Sequence, residues 1–401
     1  MTREPFEFKH SAPASGPQND PLLSVVVVDD PDLRALALEW RALEARADGS
    51  FFTSWTWVAA ALATGLTRPL VVRVETATAL VALGMFNRRS AWFSRRLSLN
   101  SVGDPALDAA YIEHNGPLVD RDYPQAALVW WRAIADLGAA IVDLPGIVSG
   151  SLADLRGVGA ILIERRQPAP RRSLAPVRAC GGDVTALMSA NSRAQLRRAI
   201  RSYQRSGPIT MTRAATQSEA ERGFEQMAAL HQRAWRRRGQ AGAMSVPFRN
   251  FHQPILATGV AAGTVDLWRV TAGDRVIGYL YNFRHGDGVA AYQSGFAYDE
   301  AQPHEKPGLV CHAMAIGHYA QAGLAVYDFL AGAARYKSSF ADHQVELVWA
   351  RLAIGYAPMA VLAKGRMRLR AARAFWGDRQ KILSENFTVD DLAAGKIRLS
   401  I

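Results

Sequence analysis

The stretch between residues 268 and 340 constrains the fold of this chain more than any other part of the sequence. Apolar, strand-like segments alternate there with short polar turns, and one segment repeats apolar residues at spacings of three and four, which is typical of a helix. Strands that alternate with a helix in this way predict an α/β fold. The predicted strands are 267–270, 276–283, 289–296 and 325–330, and the predicted helix is 308–322.

The loop at 299–307 leads directly into that helix and predicts one of two things. Backbone N–H groups at a helix start bind phosphates readily, Pro307 suits a first helical turn, and Gly308 would let a ligand approach the backbone. The other interpretation is an ordinary strand–loop–helix unit that binds nothing. Spacing alone does not separate the two.

The overall charge of the chain narrows the class of partner. The formal net charge is +11. The length of 401 residues separately predicts two domains. Such a balance favours anionic partners such as nucleic acid, phosphorylated cofactors, anionic lipid or cell-envelope precursors. The two cysteines, Cys180 and Cys311, form neither a disulfide framework nor a zinc site and fit a reducing interior.

The two ends of the sequence differ from the middle. Residues 1–20 are polar and rich in proline, serine and glycine without an apolar signal segment, so we expect a disordered tail and a cytoplasmic protein. Residues 361–401 are basic and are predicted to form a terminal helix and tail. That helix either docks on the protein itself or lies against an anionic membrane surface.

The first half repeats the strand and helix alternation of the second half only loosely, and no residue-level repeat is visible. Residues 166–182 carry several prolines and arginines and are interpreted as a linker or interdomain strand. The predicted elements of the first half are strands at 22–28, 69–75, 79–86 and 140–144 and helices at 31–46, from 51, and at 125–137.

A basic helix is predicted at 183–206. Arg193, Arg197 and Arg201 lie on one broad face of it, opposite an apolar face. Clustered like charges favour an anionic partner, although a solvated surface face explains them as well. Trp235 lies among further arginines and either stacks on a base or sugar or packs in the core.

The sequence lacks the usual catalytic and cofactor signatures. No Gly-x-Ser-x-Gly elbow, Walker loop, His-Glu-x-x-His or Cys-x-x-Cys motif occurs. The 9 histidines are scattered, so no metal site is expected. Asp328 lies in an apolar strand, where a carboxylate is costly unless paired. It is either a base with a raised pKa or the partner of Lys337 or Arg335.

Several residues of the second half follow one another in the order of motifs of a known family. They are Ser192, Arg193, Arg197, Arg198, Gly207, His231, Trp235, residues 278–282, Pro307, Gly308, Leu309, residues 327–330, Gly332, Tyr336 and Lys337. In these residues the chain resembles the BioF2-like or CelD-like acetyltransferases of the GNAT superfamily, which are similar to FemAB-type aminoacyltransferases. The resemblance is strongest from residue 189 to residue 340.

This resemblance implies two tandem GNAT-like α/β domains, each with a mixed sheet flanked by helices. The implied domains are a degenerate copy at 21–165 and the acyltransferase copy at 183–360. The chain departs from classical GNAT enzymes in its phosphate loop, which is reduced to residues 304–308. The positions implied to bind the donor are His304, Lys306, Pro307, Gly308 and Leu309.

The resemblance also implies the activity and further site residues. The implied reaction moves an acyl group from acetyl-CoA or another acyl-CoA to an amine of a sugar, lipid or peptide precursor. Lys337 matches a lysine associated with substrate phosphates, Tyr336 either protonates the leaving thiolate or packs, and a backbone N–H within 294–297 polarises the carbonyl. The residues expected to hold an anionic acceptor are Arg193, Arg197, Arg201, Trp235 and Lys337.

Two alternatives to a CoA-dependent enzyme stay open. One is a FemAB-like transferase that uses aminoacyl-tRNA, although the sequence shows no coiled-coil arm of the kind those enzymes often carry. The other is a non-catalytic anion-binding protein on a decayed transferase scaffold. For the CoA-dependent enzyme, a specific nucleic-acid partner is not expected.

Overall fold

A computed structural model describes residues 22–91, 94–104, 112–240, 242–299, 301–332 and 334–355. The predicted tail at 1–20 and the predicted basic helix at 361–401 lie outside these residues. The helices are α1 (Leu33–Glu44), α2 (Trp55–Thr64), α3 (Ala126–Ala133), α4 (Leu174–Ala179), α5 (Ala190–Gln204), α6 (Gln217–Arg236), α7 (Val246–Gly259), α8 (Pro307–Gln321) and α9 (Arg335–Ser338). Short 3₁₀ turns lie between some of these helices and the strands of the described residues, at Phe51–Thr53, Ile134–Asp136, Ser149–Leu152 and Val184–Leu187.

The strands form a single mixed sheet. The strands are β1 (Ser24–Asp29), β2 (Ala47–Asp48), β3 (Pro69–Glu75), β4 (Leu80–Ala91), β5 (Ser94–Leu99), β6 (Leu118–Asp120), β7 (Ile141–Val148), β8 (Ala160–Ser173), β9 (Ile209–Arg213), β10 (Val265–Ala272), β11 (Arg275–His285), β12 (Gly288–Phe296), β13 (Val326–Asp328) and β14 (His343–Ala353).

The order of the strands reveals a repeat that the sequence does not show. The sheet runs β1-β3-β4-β5-β7-β14-β8-β13-β12-β11-β10-β9, with β2 and β6 attached beside β4. The first five strands and the last five mirror one another, because each set is antiparallel except for one parallel pair, β5 with β7 and β12 with β13. Helices α1, α2 and α3 in the first copy correspond in order to α6, α7 and α8 in the second.

The two copies exchange strands at the centre of the sheet. β8, which ends the first copy, pairs with β13 of the second, and β14, which ends the second copy, pairs with β7 of the first. β8 and β14 also pair with each other over eleven register positions. The predicted linker at 166–182 is therefore a central strand up to Ser173, followed by α4.

The copies also share one core. An apolar cluster extends from α1 and α2 across to α6 and α7. Phe51 and Phe283 stack within it, with ring centroids 4.0 Å apart and an interplanar angle of 12°. Buried apolar contact of this kind joins the copies in addition to the strand pairing.

The predicted elements of the second copy are confirmed in type and order. The strands predicted at 276–283, 289–296 and 325–330 are the neighbours β11, β12 and β13. The helix predicted at 183–206 is wrong at its start, because α5 begins only at Ala190. The Ser189 hydroxyl caps α5 by accepting from the Ser192 N–H at 3.3 Å.

Candidate active site

The site begins where two parallel strands separate. β12 and β13 pair over three positions, Gly288 with Val326, Val289 with Tyr327, and Ala290 with Asp328. β13 then ends, and the N–H of Phe329 bonds to the carbonyl of Pro170 instead. Residues 291–296 of β12 keep their partner β11 on one side, and among the described residues no strand pairs with them on the other.

A cavity of about 860 Å³ lies along this unpaired edge. Ala291, Gln293, Ser294 and Phe296 of β12 contribute to its lining. An open strand edge offers unpaired N–H and C=O groups to an extended ligand. The N–H of Ala297 is not one of them, because it donates to the carbonyl of Ile277 at 2.9 Å.

The end of α6 forms one wall of this cavity. His231 accepts from the N–H of Ala243 at its Nε2 atom and donates from Nδ1 to the carbonyl of Ser294, over 3.3 and 3.0 Å. Burial lowers the pKa of His231, which keeps the ring neutral at neutral pH. α6 approaches β12 closely because residue 295 is glycine: a Cβ there would lie 2.2 Å from the carbonyl oxygen of Met227.

A strained turn at 330–332 forms the floor. Leu330 has a φ of 59°, which is costly for a leucine, and Gly332 has a φ of 115°. Asp328 Oδ1 accepts from the Leu330 N–H at 2.7 Å, and Glu113 Oε2 accepts from the Ala331 N–H at 2.5 Å. Lys337 Nζ donates to the carbonyls of Leu330 and Ala331, over 3.0 and 2.7 Å.

Two buried ionisable groups of opposite sign thus meet on one turn. Glu113 is 7% exposed and Lys337 is 8% exposed, and both line the cavity. Burial raises the pKa of Glu113 to about 7, against the Ala331 N–H and the charges of His114 and Lys337. Burial also lowers the pKa of Lys337 to about 8, against the charges of Glu113 and Asp328. Both groups can therefore change protonation near neutral pH.

The cavity carries an excess of positive charge. Arg165, Arg238 and Arg335 line it together with Lys337, while Glu113 is the one carboxylate in its described lining. A cleft lined by one sign of charge attracts ligands of the opposite sign. The lining therefore favours an anionic ligand.

Tyr336 closes the cavity above a buried histidine. Its ring stacks on His312 of α8, with centroids 4.9 Å apart and an interplanar angle of 13°. His312 Nδ1 lies 2.8 Å from the Tyr327 hydroxyl, and burial lowers the pKa of His312 to about 3. Burial raises the pKa of Tyr336 above its usual range, so its hydroxyl stays protonated at neutral pH.

The structure brings together three of the residues predicted from the sequence. Trp235, Tyr336 and Lys337 line the same cavity. Asp328 lies behind the turn and lines a second cavity of about 490 Å³ on the other side. Its partners are Arg171, at 2.6 Å, and His114, at 3.0 Å.

The partners predicted for Asp328, Lys337 or Arg335, are therefore wrong. Burial alone would raise the pKa of Asp328, but the hydrogen bond and charge of His114, with Arg171 and the Leu330 N–H, lower it. A base with a raised pKa does not fit this environment. Asp328 holds the strained turn and joins β13 to β8.

The predicted donor loop lies beside the cavity and does not line it. His304 and Lys306 are exposed, whereas Pro307, Gly308 and Leu309 are buried. A Cβ on Gly308 would lie 3.3 Å from the ring of Phe296, which does line the cavity. No side chain caps the start of α8, so its first N–H groups keep the arrangement that binds anions.

The predicted arginine face lies elsewhere. Arg197 and Arg201 of α5 are exposed, and Arg193 is half-buried and donates to the carbonyl of Met188 at 3.1 Å. α5 packs its apolar face on α8, and none of the three arginines lines the large cavity. Their contact with an acceptor stays a prediction.

Sequence reasoning missed Glu113, which comes from the first copy, and His312. The segment that carries Glu113 has no regular pattern, and its neighbour in the site, Ala331, is 218 residues away. His312 lies on the buried face of α8, where a lone histidine in an apolar pattern gives no signal of its own. In the described residues, no group of three or more metal-ligating side chains lies together.

Comparison with known proteins identifies the type of domain that forms the second copy. Residues 190–338 match the family model of the GNAT acetyltransferase domain. These residues run from the first residue of α5 to the end of α9 and include Lys337. The chain therefore contains a GNAT acetyltransferase domain and is an N-acyltransferase of that type. No curated protein matches the chain in sequence.

Solved structures resemble the whole two-copy fold. The crystal structure of FemX superposes with a TM-score of 0.57 at 11% identity, over 81% of this chain and 98% of that one. The C-terminal domain of a protein assigned as a lysylphosphatidylglycerol synthetase from Agrobacterium fabrum gives a TM-score of 0.50 at 11% identity, over 83% and 95% of the two chains. At this identity the likeness establishes the fold.

None of the helices in the described part of the chain has the length and apolar character needed to cross a membrane.

Proposed function

We propose that the protein transfers an acyl group from acyl-CoA to an amine within the cavity of about 860 Å³. The observation that carries this proposal is the placement of Lys337 and Glu113 on the 330–332 turn, where β12 and β13 separate. An acyl transfer needs a positioned donor, a charge partner for the developing oxyanion and a route for the proton of the amine. The site contains groups suited to each.

The donor lies along the open edge of β12 in this proposal. The pantetheine arm of CoA carries amide groups that can pair with unpaired strand N–H and C=O groups. Its phosphates would reach the start of α8 beside Phe296, where Lys306 adds charge and His304 and Pro307 to Leu309 shape the loop. The carboxylate of Glu305 beside this helix start is paired with Arg275 through two hydrogen bonds of 2.8 and 2.7 Å, which reduces its repulsion of a phosphate.

Lys337 stabilises negative charge on the substrate. An ammonium group has three N–H donors, and two of those of Lys337 bond to the carbonyls of Leu330 and Ala331. The third remains for an oxygen of the substrate, either the oxyanion of the tetrahedral intermediate or a phosphate. In this proposal Tyr336, which lines the cavity, donates its phenolic proton to the leaving thiolate.

The acceptor is proposed to be the amine of a sugar, lipid or peptide precursor with an anionic group. Arg165, Arg238 and Arg335 at the cavity supply the matching charge, and Trp235 offers an apolar face for a sugar or base. An aminoacyl donor carried by tRNA is the second candidate, favoured by the same basic lining. It would use the same lysine and the same unpaired edge.

A donor screen tests the proposal. Purified protein is incubated with acyl-CoA donors of increasing chain length and a pool of amines, and acceptor-dependent release of free thiol is measured. We expect release with the wild type and a loss on the order of 10²-fold or more with Lys337→Met, measured at a temperature at which the variant is folded. The control is Lys306→Met, which should raise the Michaelis constant of the donor and leave kcat nearly unchanged.

Two results would contradict this function. The first is no acceptor-dependent thiol release with any donor, together with no heat of binding for CoA. The second is a folded Lys337→Met protein with full activity. A parallel assay with charged tRNA distinguishes the two donors. If aminoacyl-tRNA is the donor, the aminoacyl group is transferred to the acceptor and no thiol is released.

A further inference from the structure

We propose that Glu113, a residue of the first copy, accepts the proton of the attacking ammonium group of the acceptor. This inference rests on the proposed function and adds a role to it. The first copy then supplies a catalytic residue to the site of the second copy, and the acceptor is an amine that is protonated before it binds.

The backbone around Glu113 is fixed against β7. Gly146 has a φ of 65°, and a Cβ there would lie 2.2 Å from the carbonyl of Ile112 and 3.0 Å from Cα of Glu113. Asn115 donates from its backbone N–H to the carbonyl of Gly146 and from its amide to the carbonyl of Pro145, both over 3.0 Å. A catalytic group needs such support if it is to keep its position.

The carboxylate of Glu113 is then oriented by the second copy. Its Oε2 atom accepts from the N–H of Ala331, and the group as a whole faces the cavity. A carboxylate has lone pairs at both oxygens, so the single bond to Ala331 leaves acceptor capacity for an ammonium donor. The ammonium group would then lie next to the turn that holds Lys337.

The electrostatic surroundings suit proton transfer near neutral pH. The charged and titratable groups that act on Glu113 are His114 on its own segment, Lys337 of α9, and Asp328 of β13. Arg165 and Arg335 line the same cavity. Burial, with the repulsion of Asp328, outweighs the Ala331 N–H and the charges of His114 and Lys337 and raises the pKa of Glu113 to about 7, which is the range in which a general base works best.

The proton balance of the reaction follows. Glu113 takes one proton from R–NH₃⁺, and the neutral amine attacks the acyl carbon, which forms the C–N bond. Collapse of the tetrahedral intermediate breaks the C–S bond, Tyr336 protonates the leaving thiolate, and the second amine proton passes to the Tyr336 phenolate. Overall two protons leave the amine: one ends on the thiol, and Glu113 releases the other to water before the next cycle.

Two nucleophiles separate this role from a structural one. The kinetics of wild type, Glu113→Gln and Glu113→Asp are compared with an alkylamine, which is protonated at pH 7, and with hydroxylamine, which is already neutral. Glutamine keeps an oxygen for the Ala331 N–H but cannot accept a proton. We expect Glu113→Gln to lower kcat/KM for the alkylamine on the order of 10²–10³-fold and for hydroxylamine less than tenfold.

The pH profile gives a second readout. The wild-type rate with the alkylamine should fall as the pH drops below 7, and this fall is the acid limb of the profile. Glu113→Asp should keep an acid limb, and Glu113→Gln should lose it. Asp120→Asn is the matched control, since Asp120 is a buried carboxylate of the first copy that pairs with Arg46 at 2.6 Å outside both cavities. It should lower the melting temperature and leave the profile unchanged.

The outcomes are distinct. Equal losses with both nucleophiles, or an unchanged acid limb in Glu113→Gln, would overturn the role of Glu113 while the acyl transfer itself stands. A wild-type protein that acylates neither nucleophile from any donor would overturn the proposed function, and the role of Glu113 with it.

Discussion

Arg171 on β8 and Asp328 on β13 face each other at paired positions of two antiparallel strands, and the Arg171 Nε donates to Asp328 Oδ2 over 2.6 Å. Arg171 belongs to the first copy and Asp328 to the second. The same carboxylate also bonds to the Leu330 N–H and therefore orients the strained turn below the cavity. The ion pair thus links the exchange of strands between the copies to the shape of the site.

Breaking this pair should cost stability. Asp328 is buried and the Arg171 side chain is 27% exposed, so Asp328→Asn leaves a partly buried guanidinium without its carboxylate, and we expect a loss of about 3 kcal/mol in the free energy of unfolding, the lower end of the range for buried pairs. Denaturant unfolding measures it. In the double variant with Arg171→Met, the loss should be smaller than the sum of the two single losses.

The pair between Arg166 and Glu346 serves as the control. It connects β8 to β14 nearby, but both side chains are about half exposed. Its removal should cost less than about 1 kcal/mol. Equal losses from the two pairs would mean that Asp328 does not hold the copies together.

Local patterns in the sequence were sufficient to predict β10 to β13 and α8. Each depends on neighbours within a few residues, such as alternation, a turn, or apolar spacing of three and four. The same patterns placed Trp235, Tyr336 and Lys337 in candidate roles, and the structure places these three side chains around one cavity.

Contacts between distant residues could not be predicted in this way. The partner of Asp328 is 157 residues away, and Glu113 reaches Ala331 across 218 residues. The exchange of β8 and β14 also depends on pairing between the copies, for which a single sequence contains no periodic signal. Lys337 and Arg335 were chosen as partners of Asp328 because they are near in the chain. In the structure the pairing of β13 with β8 determines the partner of Asp328, which is Arg171.

Buried histidine should make the fold sensitive to acid. Burial lowers the pKa of His252 to about 3 from 6.5. The stability that its neutral form contributes is therefore fully present above pH 6.5 and is lost as the pH falls towards 3. We expect His252→Phe to flatten the decrease in unfolding free energy between pH 7 and pH 4.

Denaturant midpoints of wild type and His252→Phe over this range give the answer. Phe86, a buried ring of the first copy that stacks on Trp130, provides the comparison through Phe86→Leu, which removes packing but no titratable group. This control should retain the wild-type slope of stability against pH. The same slope in all three proteins would contradict the assignment to His252.

The arginine face of α5 should matter only for large acceptors. Arg197 and Arg201 do not line the cavity, so a small amine without an anionic group cannot contact both the cavity and this face. Reversing both charges with Arg197→Glu and Arg201→Glu should raise the Michaelis constant of a large anionic acceptor, and salt should weaken the effect. Steady-state kinetics with a small amine should show no change, and an equal change for both acceptors would contradict this.

The central claim is that the donor binds where β12 and β13 separate, and two adjacent alanines test it. Ala291 lines the large cavity, whereas Ala290 lines the second cavity, which contains Asp328. Calorimetric titration of acyl-CoA into Ala291→Leu and Ala290→Leu is the direct measurement, with melting temperatures to confirm folding. We predict that Ala291→Leu weakens binding at least tenfold and that Ala290→Leu changes it less than twofold; equal affinities in the two folded variants, or a loss confined to Ala290→Leu, would contradict the claim.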